Sequence, residues 1–283
     1  MGMRVMLLIG TNIAVVALFT AAAAAFGVNP SGLVGLTIFS LALGFGGALV
    51  SLAMSKKIAL RSTGAHVIET PTNETEKWLF DTIARQAADA GIGMPTVAIY
   101  PSEDVNAFAT GAKRNDALVA VSVGLLRNMQ ADEVEAVLAH EISHVANGDM
   151  ITLTLIQGII NTFVILISRV LANIVTNALT RGRGGRGVYF LVVMVLQVIL
   201  GFFASIIVMW FSRRREFRAD SGAAALASPQ KMISALEALK RGAPTAGLPD
   251  EVAAFGIRAG EGGGLRRLLR THPDLDERIA ALR

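Results

Sequence analysis

Long uncharged runs alternate with mixed ones along this chain, and the alternation divides it before any residue is given a chemical role. After Arg4 no charged residue occurs until Lys56, a run of 51 residues at positions 5–55. A membrane-crossing helix needs about 20 apolar residues, so this run is long enough for two. Asn29-Pro30-Ser31-Gly32 breaks it in the middle and predicts a helical hairpin over Val5–Gly27 and Leu33–Ser55. A second uncharged run covers 19 residues at 150–168, and a third covers 26 at 187–212. Arg169, a mostly apolar Val170–Thr180 and the basic, Gly-rich Arg181–Arg186 lie between them. Both runs have spanning length, so a second hairpin brings the expected number of apolar helices to four. The first run is too long for a signal-peptide core and a second span follows at once, which argues against cleavage.

The remaining sequence has the pattern of a folded α+β domain. Asn73 with Glu76 three positions on is a capping-box-like helix start, and Leu79, Phe80, Ile83 and Ala87 follow at helical spacing up to Gly91. Thr96–Tyr100 is β-branched and aromatic, and Val105–Thr110 and Ala117–Ser122 read as two more strands joined by a polar turn at Lys113–Asp116. A short helix around Gly124–Met129 leads into a longer one, Ala131–Asn147, which carries Asp132, Glu133 and Glu135 in its first turns and stops at Gly148. Beyond the last uncharged run, helix is expected from Ser221 to about Lys240. A Gly-, Ala- and Pro-rich stretch, 242–264, and a closing helix, Leu275–Leu282, complete the chain.

Composition sharpens this division. The chain is 53% hydrophobic and 17% charged, too apolar for an ordinary soluble domain, so the excess belongs in lipid. The net charge is +4, but Lys and Arg cluster beside the apolar runs, as membrane flanks do; a nucleic-acid stripe would need a basic face with interleaved aromatics. Arg4, Lys56, Lys57 and Arg61 flank the first hairpin on one side, which the positive-inside rule places in the cytoplasm with the folded domain. If the second hairpin also crosses, its Arg-rich loop lies outside, against the same rule; a shallow hairpin would avoid the conflict. No Cys is present, so any metal must be held by His and carboxylate. No phosphate-binding loop signals a nucleotide.

The candidate chemistry is concentrated in His140-Glu141-Ile142-Ser143-His144. Two His four residues apart lie on one helix face and can reach one metal ion. Glu141 lies about 100° round, beside that ion, where a base acting on water belongs. A lone His is more often a satisfied core residue, but two of the chain's four His fall at metal spacing around a Glu, among apolar neighbours. A catalytic zinc has three protein ligands. Glu216 and Asp220, four apart, share a helix face; one can bind the metal while the other takes a hydrogen bond from a ligating His. Alone they would read as a solvated acidic face paired with Arg213–Arg215 and Arg218. His272, in Thr271-His272-Pro273, is a mobile extra ligand, a polar contact to the reacting centre, or simply the residue that starts the last helix; the last reading is the simplest. His66 has no motif around it. A non-catalytic metal-binding scaffold or transporter is the rival reading, but it gives Glu141 nothing to do.

The fold class expected is a mainly α membrane protein: four apolar helices in two hairpins, plus a cytoplasmic α+β, zincin-like catalytic domain with a small sheet. The parts are 1–61, a transmembrane hairpin; 62–149, a first catalytic lobe with the H-E-x-x-H helix; 150–212, a second membrane hairpin; and 213–283, a second catalytic lobe.

His140–His144, Ala146-Asn147-Gly148-Asp149, the two hairpins, Glu216–Asp220 and Thr271-His272-Pro273 together resemble the HtpX membrane metalloproteases, grouped with the CAAX prenyl endopeptidases among the gluzincins. The resemblance covers nearly the whole chain. It implies a bacterial inner-membrane endopeptidase, active site facing the cytoplasm, that cleaves misfolded or damaged membrane proteins under stress. It implies one zinc ion per chain on His140, His144 and Glu216, with Glu141 as base and Asp220 as the partner of His140. Asn106-Ala107-Phe108 would lie on the edge strand that takes the substrate backbone. The partners implied are polypeptides and the lipid bilayer.

Overall fold

The computed structural model describes residues 33–181, 185–241 and 272–283. The helix expected at Val5–Gly27, the centre of the Arg/Gly loop and the 242–264 stretch lie outside them. Two compact units divide the chain: Met1–Ser51 with Thr154–Val208, and Leu52–Leu153 with Met209–Arg283.

Among the described residues three helices are long and apolar enough to cross a membrane: α1 (Leu33–Thr63), α5 (Asp149–Thr180) and α6 (Arg186–Leu226). In the first unit Phe39 and Leu43 of α1 pack on Ile165 of α5, while Phe163, Leu191 and Phe203 are exposed. An apolar outer surface suits a lipid solvent. Two expectations change here. Arg169 does not interrupt α5, which runs unbroken across it. Nor does α6 stop where its uncharged run ends at Ser212; it continues 14 residues to Leu226, taking Glu216 and Asp220 with it. Charge ends the lipid-compatible part of a helix without ending its hydrogen bonding. The helix expected from Ser221 to Lys240 is instead the end of α6 and a separate α7 (Pro229–Arg241). Pro229 lacks an N–H and is tolerated only in a first turn, so the break falls there.

The second unit is built on a four-stranded sheet in the order β1-β2-β4-β3. Its strands are β1 (His66–Val67), β2 (Thr96–Tyr100), β3 (Ala107–Lys113) and β4 (Asp116–Ser122). β2 and β4 are parallel, the β3–β4 hairpin is antiparallel, and β3 is an edge. The strand expected at Val105–Thr110 begins two residues later and runs on to Lys113 through a bulge between Thr110 and Lys113, so the turn shrinks to Arg114-Asn115. On one sheet face Ala98, Tyr100, Phe108, Leu118 and Ala120 bury against Ala59 of α1. On the other, Val97, Val119 and Val121 join α2 (Glu74–Asp89), α4 (Ala131–Asn147) and α7 through Leu79, Ile83, Val137, Leu138, Ile142 and Leu236. The short α3 (Val123–Asn128) begins at Ser122, whose hydroxyl caps it by accepting from Leu125 N at 2.9 Å. The closing helix, α8, is Leu275–Leu282 as expected.

The acidic start of α4 is tied to its neighbours as well as to its own helix end. Glu133 accepts from Gln130 N at 2.9 Å and from the Ser234 hydroxyl of α7 at 3.1 Å. Lys231 of α7 reaches Glu135 at 2.6 Å, and Arg85 of α2 reaches the same carboxylate at 2.6 Å. These contacts set α4 between α2 and α7.

Candidate functional site

α4 is buried along most of its length, and His140, Glu141 and His144 are 1%, 3% and 5% exposed. Polar groups this deep need partners, and most of them have one. His140 and His144 turn their Nε2 atoms toward each other, 3.1 Å apart. Their Nδ1 atoms are held from behind. His144 Nδ1 is 2.6 Å from Asp149 Oδ2, and His140 Nδ1 is 2.9 Å from Asp220 Oδ1. A carboxylate at Nδ1 fixes the proton there and leaves the Nε2 lone pair facing the site.

Asp149 reaches His144 because α4 ends abruptly. Gly148 takes a left-handed φ of +68° and returns its N–H to His144 O and Val145 O, so α5 starts one residue later in a new direction. Arg218 of α6 grips the other oxygen of Asp149. The sequence motif contains Asp149, but no role was read for it; a carboxylate just past a helix stop is the signal that was available.

α6 brings the third carboxylate. Glu216 is fully buried; its Oε2 lies 3.5 Å from His140 Nε2 and its Oε1 3.3 Å from His144 Nε2. The close approach of α6 to α4 depends on Gly222, where a Cβ would fall 2.5 Å from Ser143 Oγ. Of the two carboxylates, Glu216 faces both Nε2 atoms, and Asp220 stands behind His140. Asp220 is itself held by Arg278 of α8 in a two-pronged contact of 2.8 and 2.6 Å. Arg278 is fully buried, and its Nη1 is 3.7 Å from Glu216 Oε2. The sequence reading missed Arg278, which looks like one more charge on a short amphipathic helix.

His272 differs from the simpler expectation. It is 5% exposed, and its Nδ1 lies 2.7 Å from Glu216 Oε2. It therefore belongs to the site rather than serving only to start α8. His66 is exposed on β1, at the opposite edge of the sheet from β3.

The charges shape one another. Burial pulls the His140 imidazole down, but Asp220 and Glu216 outweigh it and lift it to about 9, so a metal ion would bind Nε2 by displacing a proton. Burial pushes Glu216 up, yet His272 and His144 hold it well below the usual carboxylate range. For Asp220, Arg278 and His140 overcome burial and bring it to about 2. Glu141 goes the other way: burial raises its carboxyl, only partly offset by His140 and His144. One carboxyl among several is thus biased toward carrying a proton, which suits a group that must take one up and release it.

The backbone N–H of Ala109 lies near enough to favour the Glu141 carboxylate, so β3 passes beside it. Of the expected substrate strand, Asn106, Ala107 and Phe108 are all buried. Asn106 is tied to Ser122 of β4, and Phe108 stacks on Tyr100 with ring centroids 5.5 Å apart. Their side chains belong to the domain; Ala109 is the residue that lies beside Glu141.

His140, His144 and Glu216 each offer one ligand atom within 4.8 Å of the others. Glu216 Oε1 is buried with no hydrogen-bond partner, and two imidazole lone pairs face it. A cation between them would satisfy all three, so the donor set fits a metal ion.

Comparison with known proteins gives the family. The profile of peptidase family M48 matches residues 73–283. The chain is 57% identical over 282 residues to Protease HtpX of Xylella fastidiosa (strain M23), covering 99% of this chain and 98% of that one. It is 56% identical over 283 residues to a Protease HtpX homolog of Desulfotalea psychrophila, covering 99% and 98%. A crystal structure of S. mikatae Ste24p is similar in fold, with a TM-score of 0.65 at 18% identity; the match covers 97% of this chain and 63% of that one.

Proposed function

This chain belongs to peptidase family M48 and is a membrane metallopeptidase, and from that premise we propose that it is a zinc endopeptidase whose metal is held by His140, His144 and Glu216. The observation that carries the reading is the convergence of those three groups beside Glu141. Their separations of 3.1, 3.3 and 3.5 Å compare with about 3.3 Å between ligands of a tetrahedral ion bound at about 2.0–2.1 Å. Two imidazoles and a carboxylate, without thiolate, are the donor set of catalytic zinc.

When bound there, zinc supplies Lewis-acid polarisation of the scissile carbonyl and of the attacking water. Glu141 takes the water's proton as its oxygen adds to the carbonyl carbon, and returns a proton to the amine as the C–N bond breaks. Asp220 and Asp149 keep His140 and His144 in the tautomer that presents Nε2, and Arg278 holds Asp220. Ala109 N–H favours the Glu141 carboxylate beside the edge strand. The segment Asn106-Ala107-Phe108, with Ala109, lets an extended substrate add to β3 through backbone hydrogen bonds. The remaining assignments are an inner-membrane location in a bacterium, an active site on the cytoplasmic side, and misfolded or damaged membrane proteins as substrates, with no nucleotide or nucleic acid needed. The parts assigned are membrane hairpins at 1–61 and 150–212 and catalytic lobes at 62–149 and 213–283. The clustered Lys and Arg at positions 56–61 and 213–215 support that orientation.

Glu141→Gln tests the reading directly. It should retain zinc and lower casein cleavage by about 10²–10⁴-fold. Cleavage near the unsubstituted rate with zinc bound would remove Glu141 from the role of base.

A further inference from the structure

Arg169 is the only charged residue in α5 beyond Asp149, and it is buried inside the first unit, at 8% exposure. Its guanidinium carbon lies 4.6 Å from the centre of the Phe39 ring of α1, and Tyr189 at the start of α6 is near enough to act on its charge. Its Nε has no partner. Two turns further along the same face of α5, the Thr176 hydroxyl is also buried without a partner.

A guanidinium does not lose its proton in a protein, so it needs a counter-charge. The membrane segments cannot provide one: positions 1–55 and 150–212 contain no Asp or Glu. The nearest charges along the chain, Arg181, Arg183 and Arg186, are of the same sign. The anion must come from outside these segments.

Depth narrows the choice. Arg169 closes an uncharged run of 19 residues, about 28 Å of helix, close to the thickness of a hydrocarbon core of about 30 Å. Beyond it α5 is still mostly apolar but carries Asn173, Thr176, Asn177 and Thr180. Tyr189, half-buried, opens the uncharged run of α6, where interfacial aromatics sit. The guanidinium therefore lies at headgroup level, where the abundant anion is a phosphodiester, and the planar fork of Arg suits phosphate oxygens.

We propose that Arg169, Tyr189 and Thr176 form a binding site for the phosphodiester of an anionic phospholipid, between α1, α5 and α6. Phe39 holds the guanidinium plane, Tyr189 and Nε meet phosphate oxygens, and Thr176 reaches the polar part of the lipid.

Full-length protein carrying Glu141→Gln, so that no self-cleavage intervenes, is delipidated in non-ionic detergent and titrated with dioleoylphosphatidylglycerol. Dioleoylphosphatidylcholine and inorganic phosphate are titrated separately, and bound lipid per chain is counted by native mass spectrometry. The expected result is retention of phosphatidylglycerol over both controls, weakened about tenfold by Arg169→Gln as a charge-assisted contact is lost. Arg169→Lys, which keeps the charge but not the fork, should weaken retention severalfold and decides the question if the Gln variant does not fold. Equal retention by the Arg169 variants would overturn the site. Equal retention of phosphatidylcholine, or displacement of lipid by inorganic phosphate, would overturn its assignment to an anionic phospholipid. Association into dimers without retained lipid would mean that an acidic group of a second copy supplies the charge, and would overturn it too.

Discussion

His272 Nδ1 lies 2.7 Å from Glu216 Oε2, a contact between residues 56 positions apart. A carboxylate only accepts hydrogen bonds, so Nδ1 carries the proton and His272 is a donor to the proposed third ligand. On the proposed reading it orients Glu216 and the ion does not need it as a ligand. His272→Ala is expected to keep zinc through gel filtration while lowering zinc affinity or turnover about 10–100-fold, as loss of such a partner does elsewhere. His272→Asn, which keeps a donor near the Nδ1 position, should recover part of the loss. Zinc content per chain and casein cleavage check both. Zinc-free His272→Ala with zinc-loaded Glu216→Gln would make His272 the ligand instead.

Gly222 sets the distance between α6 and α4. A Cβ there would lie 2.5 Å from Ser143 Oγ and 2.9 Å from Ser143 Cβ. Gly222→Ala should force the helices apart, at a cost of about 1–3 kcal/mol for an overpacked contact, and move Glu216 away from the two imidazoles. Thermal stability and zinc content should both fall. Ser143→Gly in the same chain removes both offending atoms and should restore zinc binding. No rescue would mean that the glycine matters for another reason.

How much of this site the sequence disclosed depended on whether its residues stand together in the chain. His140, Glu141 and His144 sit within one helical turn and a fraction, so their spacing states their geometry. Glu216 and Asp220 were legible as a pair, since four residues put them on one face, but the spacing could not say which faces the metal. Asp149 was hidden by the helix stop before it, because a left-handed Gly148 redirects the chain in a way no periodicity records. Arg278 and His272 were hidden because their partners are distant and each has an ordinary local reading. The membrane helices were legible by their lack of charge. Their true ends were not, since Arg213–Arg215 mark a lipid boundary that the backbone of α6 ignores. β1 has only two residues, too few for any alternation to show.

Glu135 makes part of the domain's stability depend on pH. Burial raises its carboxyl, but hydrogen bonds from Lys231 and Arg85 outweigh that and leave it below the ordinary 4.5. A folded-state pKa below the unfolded one stabilises the fold above pH 4.5, and the contribution is lost as pH falls through the folded value. Arg85 is exposed at 53% and Lys231 partly so at 32%, so the contribution is modest, about 0.5–1 kcal/mol. Glu135→Gln should therefore lower Tm slightly at pH 7, and the gap should close below pH 4.5. A gap that persists or widens in acid would mean the residue acts through packing rather than charge.

Glu216 and Asp220 separate binding the metal from holding its ligand. Both touch His140, Glu216 at Nε2 and Asp220 at Nδ1, and Arg278 lies close to both. A general loss of charge balance would affect the two alike; different positions relative to the ion would not. Glu216→Gln replaces an anionic donor with a neutral amide, a poor zinc ligand, so zinc should be lost on gel filtration. Asp220→Asn keeps an acceptor oxygen for His140 Nδ1 but loses the charge facing Arg278. It should retain most of the zinc, with affinity or rate lower by about 10–100-fold. Arg278→Met then distinguishes the two routes by which Asp220 acts. In the unsubstituted background it strands the buried Asp220 carboxylate and should destabilise by about 3–5 kcal/mol; with Asp220→Asn the penalty should shrink, because that charge is gone. Zinc content and Tm of the four proteins form the cycle. Equal zinc loss in Glu216→Gln and Asp220→Asn would show that the carboxylates act as one charge cluster and that Glu216 has no separate role as ligand.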